Sequence, residues 1–122
     1  MNSVVHFEIP AKEPQRAKEF YKKVFGWSIY DFDEETSLVT TTDSGEDGIP
    51  KNPGAINGSL YKSDGSKTVT AVIDVKDMTA HISVVEANGG KLVDPPVTIP
   101  GMGMYARFTD TEGNLMGLWQ TI

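Results

Sequence analysis

The chain repeats itself. A strand-like segment, a helix-like segment ended by glycine and three further strand-like segments are followed by the same series again. Two landmarks keep one offset: His6 falls on Thr70 and Gly26 on Gly90, 64 residues apart in both cases (70 − 6 and 90 − 26). A repeat of this length restricts the chain to architectures made of two like halves, and it must be identified before any single element is interpreted. Strand, helix and three strands, twice, without a series of parallel crossovers, describes an α+β fold of two βαβββ modules. These span about residues 3–62 and 67–121 of one domain running over 1–122. One helix is expected on the back of each module, with the opposite faces of the curved mixed sheets forming a cup.

The elements follow from periodicity. Over 4–9, Val5, Phe7 and Ile9 alternate with Val4, His6 and Glu8, the period of a half-buried strand that Pro10 should end. Pro14 suits a first helical turn, Ala17, Phe20, Tyr21, Val24 and Phe25 share one helical face, and Gly26 is the stop. Strands are expected over 27–32, 38–42 and 55–61, with a loop rich in Gly, Pro and acids, 43–54, before the last of them. The second half opens with a strand over 68–74. Its helix is capped by Asp77, striped by Met78, Ile82 and Val85 and closed by Asn88-Gly89-Gly90; strands from Lys91, over 104–109 and over 115–121 complete it.

Composition excludes several classes of function. With 122 residues, 39% hydrophobic and 23% charged, the chain is an ordinary globular one. The absence of cysteine removes disulfides, thiolate metal sites and a cysteine nucleophile. A formal charge of −6 disfavours nucleic acid and anionic membranes as partners and favours cationic small molecules. No basic segment leads into an apolar run at the start, so a cytoplasmic location is expected.

Several stretches resemble the vicinal-oxygen-chelate superfamily, which includes glyoxalases, bleomycin-resistance proteins and extradiol dioxygenases. They are His6-Phe7-Glu8-Ile9-Pro10 leading to Arg16-Ala17-Lys18-Glu19-Phe20-Tyr21, then Phe25-Gly26-Trp27, and later Ala87-Asn88-Gly89-Gly90-Lys91-Leu92-Val93 and the run from Phe108 through Asp110-Thr111-Glu112-Gly113 to Trp119. Their order is similar to that in short relatives of lactoylglutathione lyase. The resemblance implies a divalent metal held in the cup by a His on the first strand and a Glu on the last strand of each module, with substrate oxygens filling the open positions. Carried over residue by residue, those four positions fall on His6, Gly58, Thr70 and Gly117. Three of the four ligands are therefore missing. Only His6 survives as a metal-ligand candidate, and a lone imidazole holds such an ion weakly.

Other residues enter through the same reading. His6 and Glu8 share a strand face and are candidates for acid–base work or ligand contact. Gly58 and Gly117 would make room on the cup floor, and their parity would aim Leu60 and Trp119 into it, the indole as a stacking platform. Thr70 would line the wall, and Arg107 could pair with a substrate carboxylate or face solvent. Asp110-Thr111-Glu112-Gly113 reads as a tight turn, and Trp27 as a packing or dimer-contact residue. The loop over 43–54 is a lid or a flexible insert. The function expected is binding of an aromatic or amphipathic, possibly cationic, small molecule by a homodimer without a metal cofactor. The alternative is a metal-dependent lyase, isomerase or dioxygenase with non-standard ligands that include His6 and Glu8.

Overall fold

A computed structural model describes residues 1–122. The chain forms two compact units, His6–Val69 on the one hand and Met1–Val5 with Thr70–Ile122 on the other. In the first, β1 (Val4–Ala11), α1 (Pro14–Phe25), β2 (Ser28–Asp31), β3 (Thr36–Thr40) and β4 (Asn57–Lys62) follow in order. The sheet runs β2-β3-β4-β1, parallel between β1 and β4 and antiparallel elsewhere. In the second, β5 (Thr70–Asp74), α2 (Met78–Ala87), β6 (Lys91–Leu92), β7 (Val97–Ile99), β8 (Gly103–Thr109) and β9 (Leu115–Thr121) give the order β5-β9-β8-β6, with β5 and β9 parallel and β7 also on β8. The fold is α+β and consists of two βαβββ modules, the second with one extra short strand. That strand, β7, lies between Pro95-Pro96 and Pro100, which disguised three extended residues as a linker.

The first five residues go with the second unit because the Ser3 carbonyl accepts the Asp74 N–H at 2.9 Å and Asn2 Nδ2 donates to the Asp74 carbonyl at 3.0 Å. Pro10 does not end β1, which continues through Ala11 and pairs Pro10 with Tyr61. A parallel ladder uses alternate residues of each strand, so a missing N–H is tolerated where it would point away from the partner.

Each helix covers its own sheet. In the first unit Phe7 and Ile9 of β1, Ile29 of β2, Val39 of β3 and Leu60 of β4 pack with Ala17 and Tyr21 of α1. In the second, Val75, Met78, Ala106, Phe108 and Leu118 form the core, with Ile82 and Val85 of α2 against it. The helix ends are as the sequence implies: Pro14 in the first turn and Gly26 left-handed (φ 71°) after α1, and the Asp77 carboxylate accepting the Ala80 N–H at 3.0 Å before α2.

The inward face of α1 is narrower than its periodicity suggests. Phe20, Val24 and Phe25 stay more than half exposed, whereas Lys18 is only 8% exposed. Lys18 Nζ donates to Asp31 Oδ1 at 2.8 Å, and the Ser37 hydroxyl donates to the same oxygen at 3.1 Å. A paired and hydrogen-bonded ammonium is the condition under which lysine is buried at all. Trp27 is a packing residue: its ring stacks on Tyr21 with centroids 4.8 Å apart and planes 4° from parallel.

Candidate functional site

In the first unit the face opposite α1 is set by the parity of β1. Since Phe7 and Ile9 pack against the helix, His6 and Glu8 point the other way. The parallel register places His6 beside Asn57 and Glu8 beside Ser59. His6 Nε2 lies 3.2 Å from Ser59 Oγ. Burial pushes the imidazole pKa below its usual 6.5, because the cationic form loses solvation there. His6 is thus a neutral base or hydrogen-bond partner at pH 7.

This register corrects two sequence-based expectations. Leu60 does not reach the face carrying His6; it is 1% exposed inside the core beneath α1. Gly58 shares that parity. A Cβ on Gly58 would sit 2.5 Å from the Phe7 ring, so the glycine makes room for the protein's own phenylalanine and not for a ligand. The β4 residue that meets His6 is Ser59, which sequence reasoning missed. The alternation of polar Asn57, Ser59 and Tyr61 with apolar Leu60 was the available signal.

In the second unit Thr70, Gly117, Trp119 and Arg107 share the face opposite α2. Leu118, Ala106 and Phe108 take the helix side, and the ladders place Val72 beside Gly117 and Arg107 beside Gly117. Thr70 is 1% exposed. The floor over Gly117 is not open space: an added Cβ would lie 3.0 Å from Val72 and 3.1 Å from the Tyr105 ring. Trp119 donates its indole N–H to the Thr121 hydroxyl at 2.9 Å, and its six-membered ring lies over Gly103. Arg107 donates to Asp94 at 2.6 Å and sits on β8, between β9 and β6, rather than on a sheet edge. The Asp110 carboxylate accepts the Glu112 and Asn114 N–H groups at 2.8 and 2.9 Å and the Asn114 side chain at 3.0 Å. Those bonds, the Asn114 side chain first, lower its pKa and confirm its turn role.

The fit to a metal can be judged from the donors. Neither unit contains three or more His, Cys, Asp or Glu side chains placed to hold an ion. On the His6 face the neighbours are one hydroxyl and the carboxylate of Glu8, which do not make the two-imidazole, two-carboxylate set. The His6 face of the first unit therefore lacks the paired His and last-strand Glu that the resemblance implies for one module.

The loop over 43–54 is internally bonded. Asn57 Oδ1 accepts the Thr41 N–H at 2.9 Å, Asn57 Nδ2 donates to Ser44 Oγ at 2.7 Å, and Ser44 and Pro50 form a β-bridge. With β2 and β3 it walls a cleft of about 430 Å³.

Two βαβββ modules with this strand order define the glyoxalase-type class of α+β proteins. The chain belongs to the glyoxalase/bleomycin resistance protein/dioxygenase superfamily, whose family model matches residues 3–118. A glyoxylase-like domain-containing protein of Didymella fabae is 32% identical over 111 residues, covering 88% of this chain and 84% of the relative. Among solved structures, methylmalonyl-CoA epimerase of Mycobacterium tuberculosis superposes with a TM-score of 0.71 at 15% identity, over 98% of this chain and 87% of that one. A hypothetical protein of Bacillus halodurans gives 0.70 at 15%, over 99% and 95%. At such identities the likeness is one of fold. No helix is long and apolar enough to cross a membrane.

Proposed function

We propose that this superfamily member binds a small organic molecule on the strand face carrying His6, and does so without a resident metal. The observation that carries the reading is the pairing of His6 with Ser59 where a metal site would need carboxylates. A neutral imidazole beside a hydroxyl offers one donor and one acceptor to a polar group of the ligand. Trp119 offers an aromatic surface on the second module. The protein is proposed to act in the cytoplasm as a symmetric homodimer, the commonest closed assembly, and to have no nucleic-acid partner. Metal analysis after dialysis against nickel or zinc tests the central claim: the expected result is far less than one ion per chain, and stoichiometric retention overturns it. Sedimentation at tens of micromolar, roughly, tests the dimer.

A second reading is favoured by the low pKa of His6, on the same face as Glu8. It is metal-free proton transfer, with His6 as the base. Solvent-deuterium uptake into a panel of α-carbonyl acids separates the readings. His6-dependent exchange supports catalysis, and saturable thermal stabilisation without exchange supports binding alone.

A further inference from the structure

The cleft beneath the loop lies on the sheet face that carries His6 and Ser59, because the ladders run from Ser59 through Leu38 to Tyr30, but none of His6, Glu8 and Ser59 lines it. Its volume of about 430 Å³ lies within the range of small-molecule sites. Ser28 and Tyr30 come from β2, Thr40 from the end of β3, and Asp43 and Glu46 from the loop. The side chains of these five make no hydrogen bond or ion pair within the protein, and Ser28, Tyr30, Asp43 and Glu46 are exposed, so their donors and acceptors are open to a ligand. No Lys, Arg or His lines the cleft. Its field is therefore that of two carboxylates, with hydroxyls that both donate and accept and one phenol ring 57% exposed.

We propose that this cleft binds a small polyhydroxylated amine, of which an amino sugar is the simplest form. The ammonium sits between Asp43 and Glu46, the ligand hydroxyls exchange hydrogen bonds with Ser28 and Thr40, and the Tyr30 ring faces the cation or the sugar face. The wall is already fixed by the bonds of Asn57 to Thr41 and Ser44, so little ordering of the loop opposes binding. Phosphorylated and carboxylated ligands are refused, because nothing cationic in the cleft can receive them. The proposal rests on the residues that line the cleft and requires nothing of His6, Glu8 or Ser59.

The test is an amide NMR titration of the full chain with glucosamine, glucose and glucose 6-phosphate at low salt. Glucosamine should shift the amides of 28–30 and 40–48 saturably, with a Kd of about 1 mM or below. Glucose should bind about tenfold more weakly, and glucose 6-phosphate should leave these amides unmoved. Raising salt from about 20 to 300 mM should weaken glucosamine several-fold. In Asp43→Asn/Glu46→Gln, whose altered side chains hold no bonds in the fold, glucosamine should fall to the affinity of glucose. Absent shifts at the cleft, equal binding of glucose and glucosamine by the parent, equal binding of the phosphate, or an unchanged double variant each overturn the proposal.

Discussion

Burial keeps the His6 imidazole neutral at pH 7, and this has a thermodynamic consequence. The unfolded chain takes up a proton at this residue near pH 6.5, whereas the folded chain does so only at lower pH. Between those values the unfolded state binds more protons, so stability rises with pH. The contribution is complete above the unfolded value and is lost as pH falls through the folded one. Urea denaturation at pH 5 and pH 7.5 should show this slope, and His6→Gln should flatten its share. The neighbouring positions divide cleanly by packing. Leu60→Ala should cost about 2–5 kcal/mol, as a core truncation does, and should not alter affinity for a ligand on the His6 face by direct contact. Gly58→Ala drives a methyl into the Phe7 ring and carbonyl and should cost about 2–3 kcal/mol, whereas Gly117→Ala meets only side chains, a Val72 methyl at 3.0 Å and the Tyr105 ring at 3.1 Å, and should cost about 1 kcal/mol. Paired thermal melts check the order. The face of His6 was legible in the alternation of β1. The one-residue shift between Gly58 and Ser59 was not, because a stretch as small as Asn57-Gly58-Ser59 declares its face only through Leu60 beyond it.

Among the elements, α1 departs furthest from its pattern. Its apolar residues repeat at helical spacing, yet Ala17 and Tyr21 pack inward while Phe20 and Phe25 remain largely in solvent. The helix is seated by the link from Lys18 to Asp31 and Ser37, a contact across 13 residues that no local periodicity announces. The ammonium and the serine hydroxyl hold the Asp31 carboxyl below its ordinary range. Its folded pKa is depressed, so this stabilisation is present above pH 3.8, roughly, and disappears as pH falls through the folded value. Lys18→Met keeps the volume and removes a costly charge, and should change stability by no more than about 1.5 kcal/mol. Asp31→Asn leaves the ammonium buried without its counter-charge and should lower Tm further than Lys18→Met does, with reduced acid sensitivity. Equal melts for the two variants would show that the ion pair does not seat the helix. The boundaries of both helices were legible because caps are local: Gly26 and Asp77 do what glycine and aspartate do at helix ends anywhere.

For the whole molecule, the offset of 64 residues between His6 and Thr70 was enough to establish two modules, and the order of elements within them followed. Chemistry did not follow from fold, because one scaffold carries many activities and only the side chains decide among them. The cleft under the loop was invisible in the sequence for a related reason. Ser28, Tyr30 and Thr40 belong to strands whose alternation is explained by the core, and nothing local reveals that their polar halves face Asp43 and Glu46.

The fastening of Ser3 and Asn2 to Asp74 means that the polypeptide cannot be cut into its two repeats without severing one of them. A ribosome that has released residues 1–69 has made every part of one unit and a segment, residues 1–5, whose partner is still unsynthesised. The second unit is finished only when residues 1–5 meet residues 70–122. Separately expressed pieces divided near Ser66 should therefore be unequal. The leading fragment can fold with a loose N-terminus, while the trailing fragment lacks the edge that the tail supplies. Mixing the two should restore order to the trailing piece, and clipping the first three residues from the leading piece should weaken that rescue.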